Sequence, residues 1–219
     1  MNYSEIRHIM VESQIRPHGV TDTRILEAVE AIPREQFVPA DKADIAYIDD
    51  AIKFENGRFM TSPMVLARLL QGAELRENDV ALFLSSANGY GSAILSHLVA
   101  TVVALEDDKS FALQISKKLS SVGSDNVVLI DAPLSEGYAK QAPYDVILFE
   151  GAVSEIPAAI SAQLAEGGRL VAILKNGIGL GKAVLVTRVH GMLNQRQLFD
   201  VNAPFLPGFE EKPRFRFAG

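Results

Sequence analysis

The spacing of apolar residues changes character near residue 79. Before that point they recur every three to four positions, the period of a helix with one buried face. Asn2 or Ser4 is placed to cap a first helix running through Ile15, and Thr21 or Asp22 a second, whose Ile25, Leu26, Val29 and Ile32 form one stripe. Pro33 ends the second helix, because it lacks the amide that the next turn needs. Ser62-Pro63 opens a third, with proline at the first helical position and Met64, Leu66, Ala67 and Leu70 on its inner face. No strand stands out in this part.

From Asp79 onward short continuous apolar runs alternate with helical stretches, the signature of strands buried on both faces of a parallel sheet. The strands are expected at Val80–Leu84, Thr101–Leu105, Asn126–Ile130, Tyr144–Phe149 and Arg169–Leu174. Helices are expected at Tyr90–Val99, Lys109–Leu119 and Ile156–Leu164, with a turn at Gly167-Gly168. Two last runs, Ala183–Val189 and Gln195–Asp200, are too close together for a crossover helix and predict an antiparallel hairpin at the sheet edge. The pattern predicts a doubly wound α/β sheet, mostly parallel, with a helical N-terminal segment and a C-terminal β-hairpin. One domain is expected, a helical cap over 1–78 and a core over 79–219.

Composition narrows the chemistry. The 219 residues are 48% hydrophobic and 22% charged, enough for a packed interior, and no apolar run is long enough to cross a bilayer. A cytoplasmic location is expected. A net charge of −6 argues against general nucleic-acid binding, which needs a clustered basic surface. Lys212, Arg214 and Arg216 alternate with Phe215 and Phe217, as in an extended segment with its aromatics turned inward. With no cysteine, disulfides, thiolate nucleophiles and cysteine-ligated zinc are all excluded, and the four histidines show no metal-ligand spacing. Nothing in the pattern sets an oligomeric state.

The segment from Asp79 to Glu106 has the layout of a nucleotide-cofactor half-site: strand, turn, helix, second strand, then an acid where open α/β sheets grip a ribose. Gly89-Tyr90-Gly91-Ser92-Ala93-Ile94 fails as a dinucleotide fingerprint, since Ile94 stands where a small residue is required. Asn176-Gly-Ile-Gly-Leu-Gly181-Lys182 fails as a phosphate loop. Asn176 replaces the first glycine, Ala183 replaces the metal-binding hydroxyl, and a β-run follows where a helix is needed. A connecting loop is the better reading.

Several spaced segments together resemble the protein-L-isoaspartate O-methyltransferase family. They are Met10-Val-Glu-Ser-Gln-Ile15, Ile32-Pro-Arg-Glu-Gln-Phe-Val-Pro39, Ala46-Tyr47, Ser62-Pro63, Asn88-Gly89-Tyr90, Ala142-Pro-Tyr-Asp145, Ile156-Pro157 and Gly167-Gly-Arg-Leu-Val171. The resemblance implies a Rossmann-like methyltransferase using S-adenosylmethionine (SAM) to methylate isoaspartyl residues of damaged proteins or peptides, with neither nucleic acid nor membrane as partner. It places Glu106 on the ribose hydroxyls, where the residues alone also allow a solvated strand-end acid. Asp131 and Ala132 fall beside the adenine, a turn-capping aspartate being the alternative. Thr61 falls on the substrate side, where the residues alone favour reading it and Ser62 as caps of the helix at Pro63. Asp107 and Asp108 read as solvated, with a capping role for the next helix.

Departures from the family pattern concentrate in the cofactor turn. Phe83 stands where the family has an acid, and Ser85 and Ala87 stand where it has glycines, leaving Gly89 alone. A Cβ where positive φ or close ligand approach is required costs about 1–3 kcal/mol. Glu150, near the reacting methyl, replaces a residue that the family keeps uncharged; hydrogen-bonding the donor's amino group and repelling an acidic substrate are its two readings. A catalytically silent member that keeps the fold as a binding or structural module is therefore the alternative to the enzyme.

Overall fold

The computed structural model describes residues 2–54, 57–85, 88–106 and 108–211. Three helices precede the sheet: α1 (Tyr3–Met10), α2 (Thr23–Ala31) and α3 (Pro63–Gly72). Their caps are Asn2, which accepts from the Glu5 amide, Asp22, which accepts from Arg24, and Ser62, which accepts from Val65. The helical course beyond α1 widens into a π-turn over Val11–Ile15 and tightens into a 3₁₀ turn over Arg16–His18. Contrary to the strandless expectation, β1 (Ile52–Lys53) and β2 (Phe59–Met60) form a small antiparallel ladder. Two-residue strands leave no periodic signal.

Seven strands make the main sheet: β3 (Val80–Ser85), β4 (Thr101–Leu105), β5 (Val127–Ile130), β6 (Tyr144–Val153), β7 (Leu164–Leu174), β8 (Gly181–Val189) and β9 (Met192–Val201). Their order is β5-β4-β3-β6-β7-β8-β9, parallel through β7 and antiparallel beyond. The final hairpin turns through His190 and Gly191, both at positive φ, as a two-residue turn requires. Helices α4 (Tyr90–Ser96), α5 (Lys109–Ser121) and α6 (Ala158–Ser161) complete the elements.

Two helix expectations need correction. The one at Tyr90–Val99 stops at Ser96, and the one at Ile156–Leu164 shrinks to the single turn of α6. Leu164 is drawn into β7 instead, pairing with Tyr144, and the next pair is Val146 with Arg169. The expected Gly167-Gly168 turn thus lies inside a strand, as the irregularity that this register shift needs, with Gly167 at φ +74°.

Alternation along the strands divides the core. Ala81, Phe83, Val102, Val146 and Leu148 face one side, with residues of α1 to α5; Leu82, Leu84, Val103, Ile147 and Phe149 face the other, with Ile160, Leu206 and Phe209. At the amino ends of the strands Arg169 pairs with Asp79, both side chains 5% exposed, and also donates to the carbonyls of Ala73, Glu74 and Asp145. Strand order reverses beside β3, so the carboxyl ends of β3, β4 and β6 frame the position where such sheets bind ligands.

Candidate functional site

Parallel register sets Ser85 on β3 directly beside Glu150 on β6. The Ser85 hydroxyl donates to one Glu150 oxygen at 2.7 Å, and the Thr61 hydroxyl, from the start of α3, donates to the other at 2.7 Å. Glu150 has no exposed surface. Burial pushes its carboxyl above the ordinary range, against the opposing pull of the two hydroxyls and of Arg34.

Arg34 is also fully buried, and burial pulls its guanidinium down. It donates to the Ala46 carbonyl at 2.7 Å and the Thr61 carbonyl at 2.6 Å, and lies 4.7 Å from the centre of the Tyr90 ring. Thr61 is thus held at its backbone by a cation while its hydroxyl faces an acid. Ser62, not Thr61, makes the side-chain cap of α3.

Phe83 fills the space beside this cluster. A Cβ added to Gly91 would lie 2.5 Å from the end of the Phe83 ring and 2.7 Å from a Glu150 oxygen. Glycine at 91 is what lets both side chains occupy the strand ends. Gly89, which caps α4 at φ +93°, is needed for another close approach: a Cβ there would lie 2.8 Å from Ile115 of α5.

Glu106 follows β4, as the strand pattern implied, and is buried. Arg58 donates to both of its oxygens, at 2.7 and 2.6 Å, and the Asp108 amide donates to Oε1 at 2.9 Å. Arg58 also lies over the Phe111 ring, 4.2 Å from its centre. Asp108 caps α5 through the amides of Ser110 and Phe111. Asp131 follows β5 at the surface, 3.5 Å from Lys109, and does not line the strand-end cavity; Ala132 is half-buried beside it. Ala87, Asp107 and the cluster from Lys212 to Phe217 lie outside the described residues.

The strand-end cavity, bounded by Phe83, Ser85, Gly89, Ser92, Glu106 and Ile115 among others, holds about 10 Å³, room for about one water. The acid expected at a ribose stands at the carboxyl end of β4, and Arg58 holds both of its oxygens. A separate groove of about 270 Å³ opens on the other side of Thr61, lined by Asp49, Asp50, Ser62, Arg68 and Asp200 among others. Among the described residues no group of three or more acidic or histidine side chains could hold a metal, and no helix is long and apolar enough to cross a membrane.

Arg58 and Arg34 carry the site's cations, and the sequence reading missed both. Arg58 reaches an acid 48 positions away, a distance at which local periodicity is silent. A signal for Arg34 existed in the Pro33-Arg34 pair just after an apolar helix.

Residues 6–202 match the model of the family described as protein-L-isoaspartate(D-aspartate) O-methyltransferase. A protein-L-isoaspartate O-methyltransferase of Koribacter versatilis is 38% identical over 74% of this chain and 73% of its own length. Protein-L-isoaspartate O-methyltransferase 2 of Marinobacter nauticus is 34% identical over 85% of each chain. Among solved structures, a protein-L-isoaspartate O-methyltransferase superposes with a TM-score of 0.78 at 22% identity, over 95% of this chain and 67% of that one. A Plasmodium falciparum beta-aspartate methyltransferase in complex with S-adenosyl-L-homocysteine (SAH) gives 0.76 at 18% identity, over 94% and 98%. At those identities the structures establish the shared fold.

Proposed function

This chain belongs to the protein-L-isoaspartate O-methyltransferase family, and from that premise we propose that it is a SAM-dependent carboxyl O-methyltransferase acting on isoaspartyl residues of damaged proteins. The observation that carries the reading is the family match over residues 6–202 together with Glu106, a buried acid at the carboxyl end of β4. The free group of an isoaspartyl residue is its α-carboxylate, with a reference pKa of about 3.3–3.7, so it is ionised at neutral pH and the reaction calls for no general base. Catalysis then rests on position: the acceptor must be held in line and water kept out.

Thr61 stands at the boundary between the two halves of such a site. Its hydroxyl faces Glu150 on the strand-end side, and its residue lines the 270 Å³ groove on the other. That groove is where we place the isoaspartyl segment. The contact between Arg34 and the Thr61 carbonyl fixes the wall, and the role assigned to Arg34 is to position Thr61, without touching the substrate.

The test is transfer of a labelled methyl group from SAM to an isoaspartyl peptide, with the aspartyl peptide of the same sequence as control. Labelling of the first alone is the expected result. Labelling of neither at millimolar SAM leaves the fold as a binding module.

A further inference from the structure

The strand-end site is closed by a side chain that imitates what it should bind. We propose that Arg58 is an internal stand-in for the ribose on Glu106, so that the cofactor enters only by displacing it, and that Arg58 thereby sets the affinity of this chain for SAM and its product. The inference rests on the methyltransferase reading and on the two-pronged contact of Arg58 with Glu106.

The chemical likeness is direct. A carboxylate accepts two parallel donors along its edge, and an arginine fork supplies them as paired N–H groups. The vicinal hydroxyls of a ribose supply them as paired O–H groups. Glu106 receives Arg58 in this two-pronged way at 2.7 and 2.6 Å, with side chains only 4% and 16% exposed. Oε1 is engaged a second time by the Asp108 amide. The Phe111 ring, 4.2 Å from the guanidinium carbon, backs the arginine where α5 begins. With both oxygens held by the guanidinium, a sugar ring reaches Glu106 only after the guanidinium has left it.

This arrangement explains why Phe83 and Ser85 are tolerated. The cluster of Phe83, Ser85 and Glu150 packs at the ends of β3 and β6, while Arg58 supplies the counter-charge for the buried Glu106. A ligand at Glu106 thus competes with a charge-assisted pair instead of with water.

The two roles open to Arg58 predict opposite signs. If it only supported the site, its removal would loosen the pocket and weaken binding; as a competitor, its removal tightens binding. Calorimetric titration of SAH into the wild-type chain and into Arg58→Ala decides between them. At least tenfold tighter binding by the variant is expected. Arg58→Lys keeps the charge but loses the fork, and its affinity should fall between the two, which also serves if Arg58→Ala folds poorly. Equal or weaker binding by both variants, with SAH still bound by the wild type, overturns the stand-in and leaves the methyltransferase reading intact. No heat from any of the three at millimolar SAH overturns both.

Discussion

The Thr61 hydroxyl donates to the Glu150 carboxylate at 2.7 Å across 89 positions of sequence, joining the start of α3 to the middle of β6. The same carboxylate accepts from Ser85 on the neighbouring strand. Three residues that the sequence singled out separately, on the substrate side, in the glycine turn and near the reacting methyl, form one buried hydrogen-bonded set. Their first consequence is energetic.

Burial raises the Glu150 carboxyl above its value in the unfolded chain, so at a pH between the two values the folded state holds a proton that the unfolded state has released. Its contribution to stability is therefore full below the unfolded value and is lost as pH rises through the folded one. Glu150→Gln removes that loss. Urea unfolding at pH 5 and pH 8 should show the variant gaining on the wild type at the higher pH. An identical pH dependence in the two proteins would contradict the account.

Gly91 is predicted to be intolerant because of Phe83 and not because of a ligand. Gly91→Ala places a methyl group 2.5 Å from the Phe83 ring and should cost about 1–3 kcal/mol, as overpacking does. Phe83→Leu should remove the part of that penalty that the ring causes, leaving the approach to the Glu150 oxygen at 2.7 Å. In a double-mutant cycle read by urea unfolding, the two changes should couple by about 0.5–3 kcal/mol, and simple additivity would contradict the contact.

Arg169 tests the opposite end of the sheet. Arg169→Ala leaves Asp79 buried without its partner and should cost about 3–5 kcal/mol. The measurement is the shift in urea midpoint. A change within 1 kcal/mol of zero would show that water replaces the pair.

Most of the fold was legible because strands buried on both faces leave continuous apolar runs, and α2 and α3 carry their caps and prolines in the sequence. The exceptions have physical causes. The ladder between β1 and β2 is two residues long, and Leu164 joins β7 because pairing with Tyr144 overrides local helical spacing. At the site, Glu106 was visible as a strand-end acid, whereas its partner was not. Arg58 precedes β2 in sequence and meets Glu106 across 48 positions, a contact made by tertiary packing alone. Phe83 read as a missing acid, yet nothing local showed that Glu150 brings a carboxylate against the same glycine from the next strand.

The central claim is that Glu106 is the ribose anchor of a SAM site closed by Arg58. Its most direct test removes the competitor first. SAH affinity is measured by calorimetry in the Arg58→Ala background, with and without Glu106→Ala, and with Asp108→Ala as the control. Loss of the Glu106 carboxylate should weaken binding by roughly tenfold or more, the worth of a hydrogen bond to a charged group, while loss of Asp108 changes it little. Equal effects of the two substitutions, or no binding in the Arg58→Ala background, would contradict it.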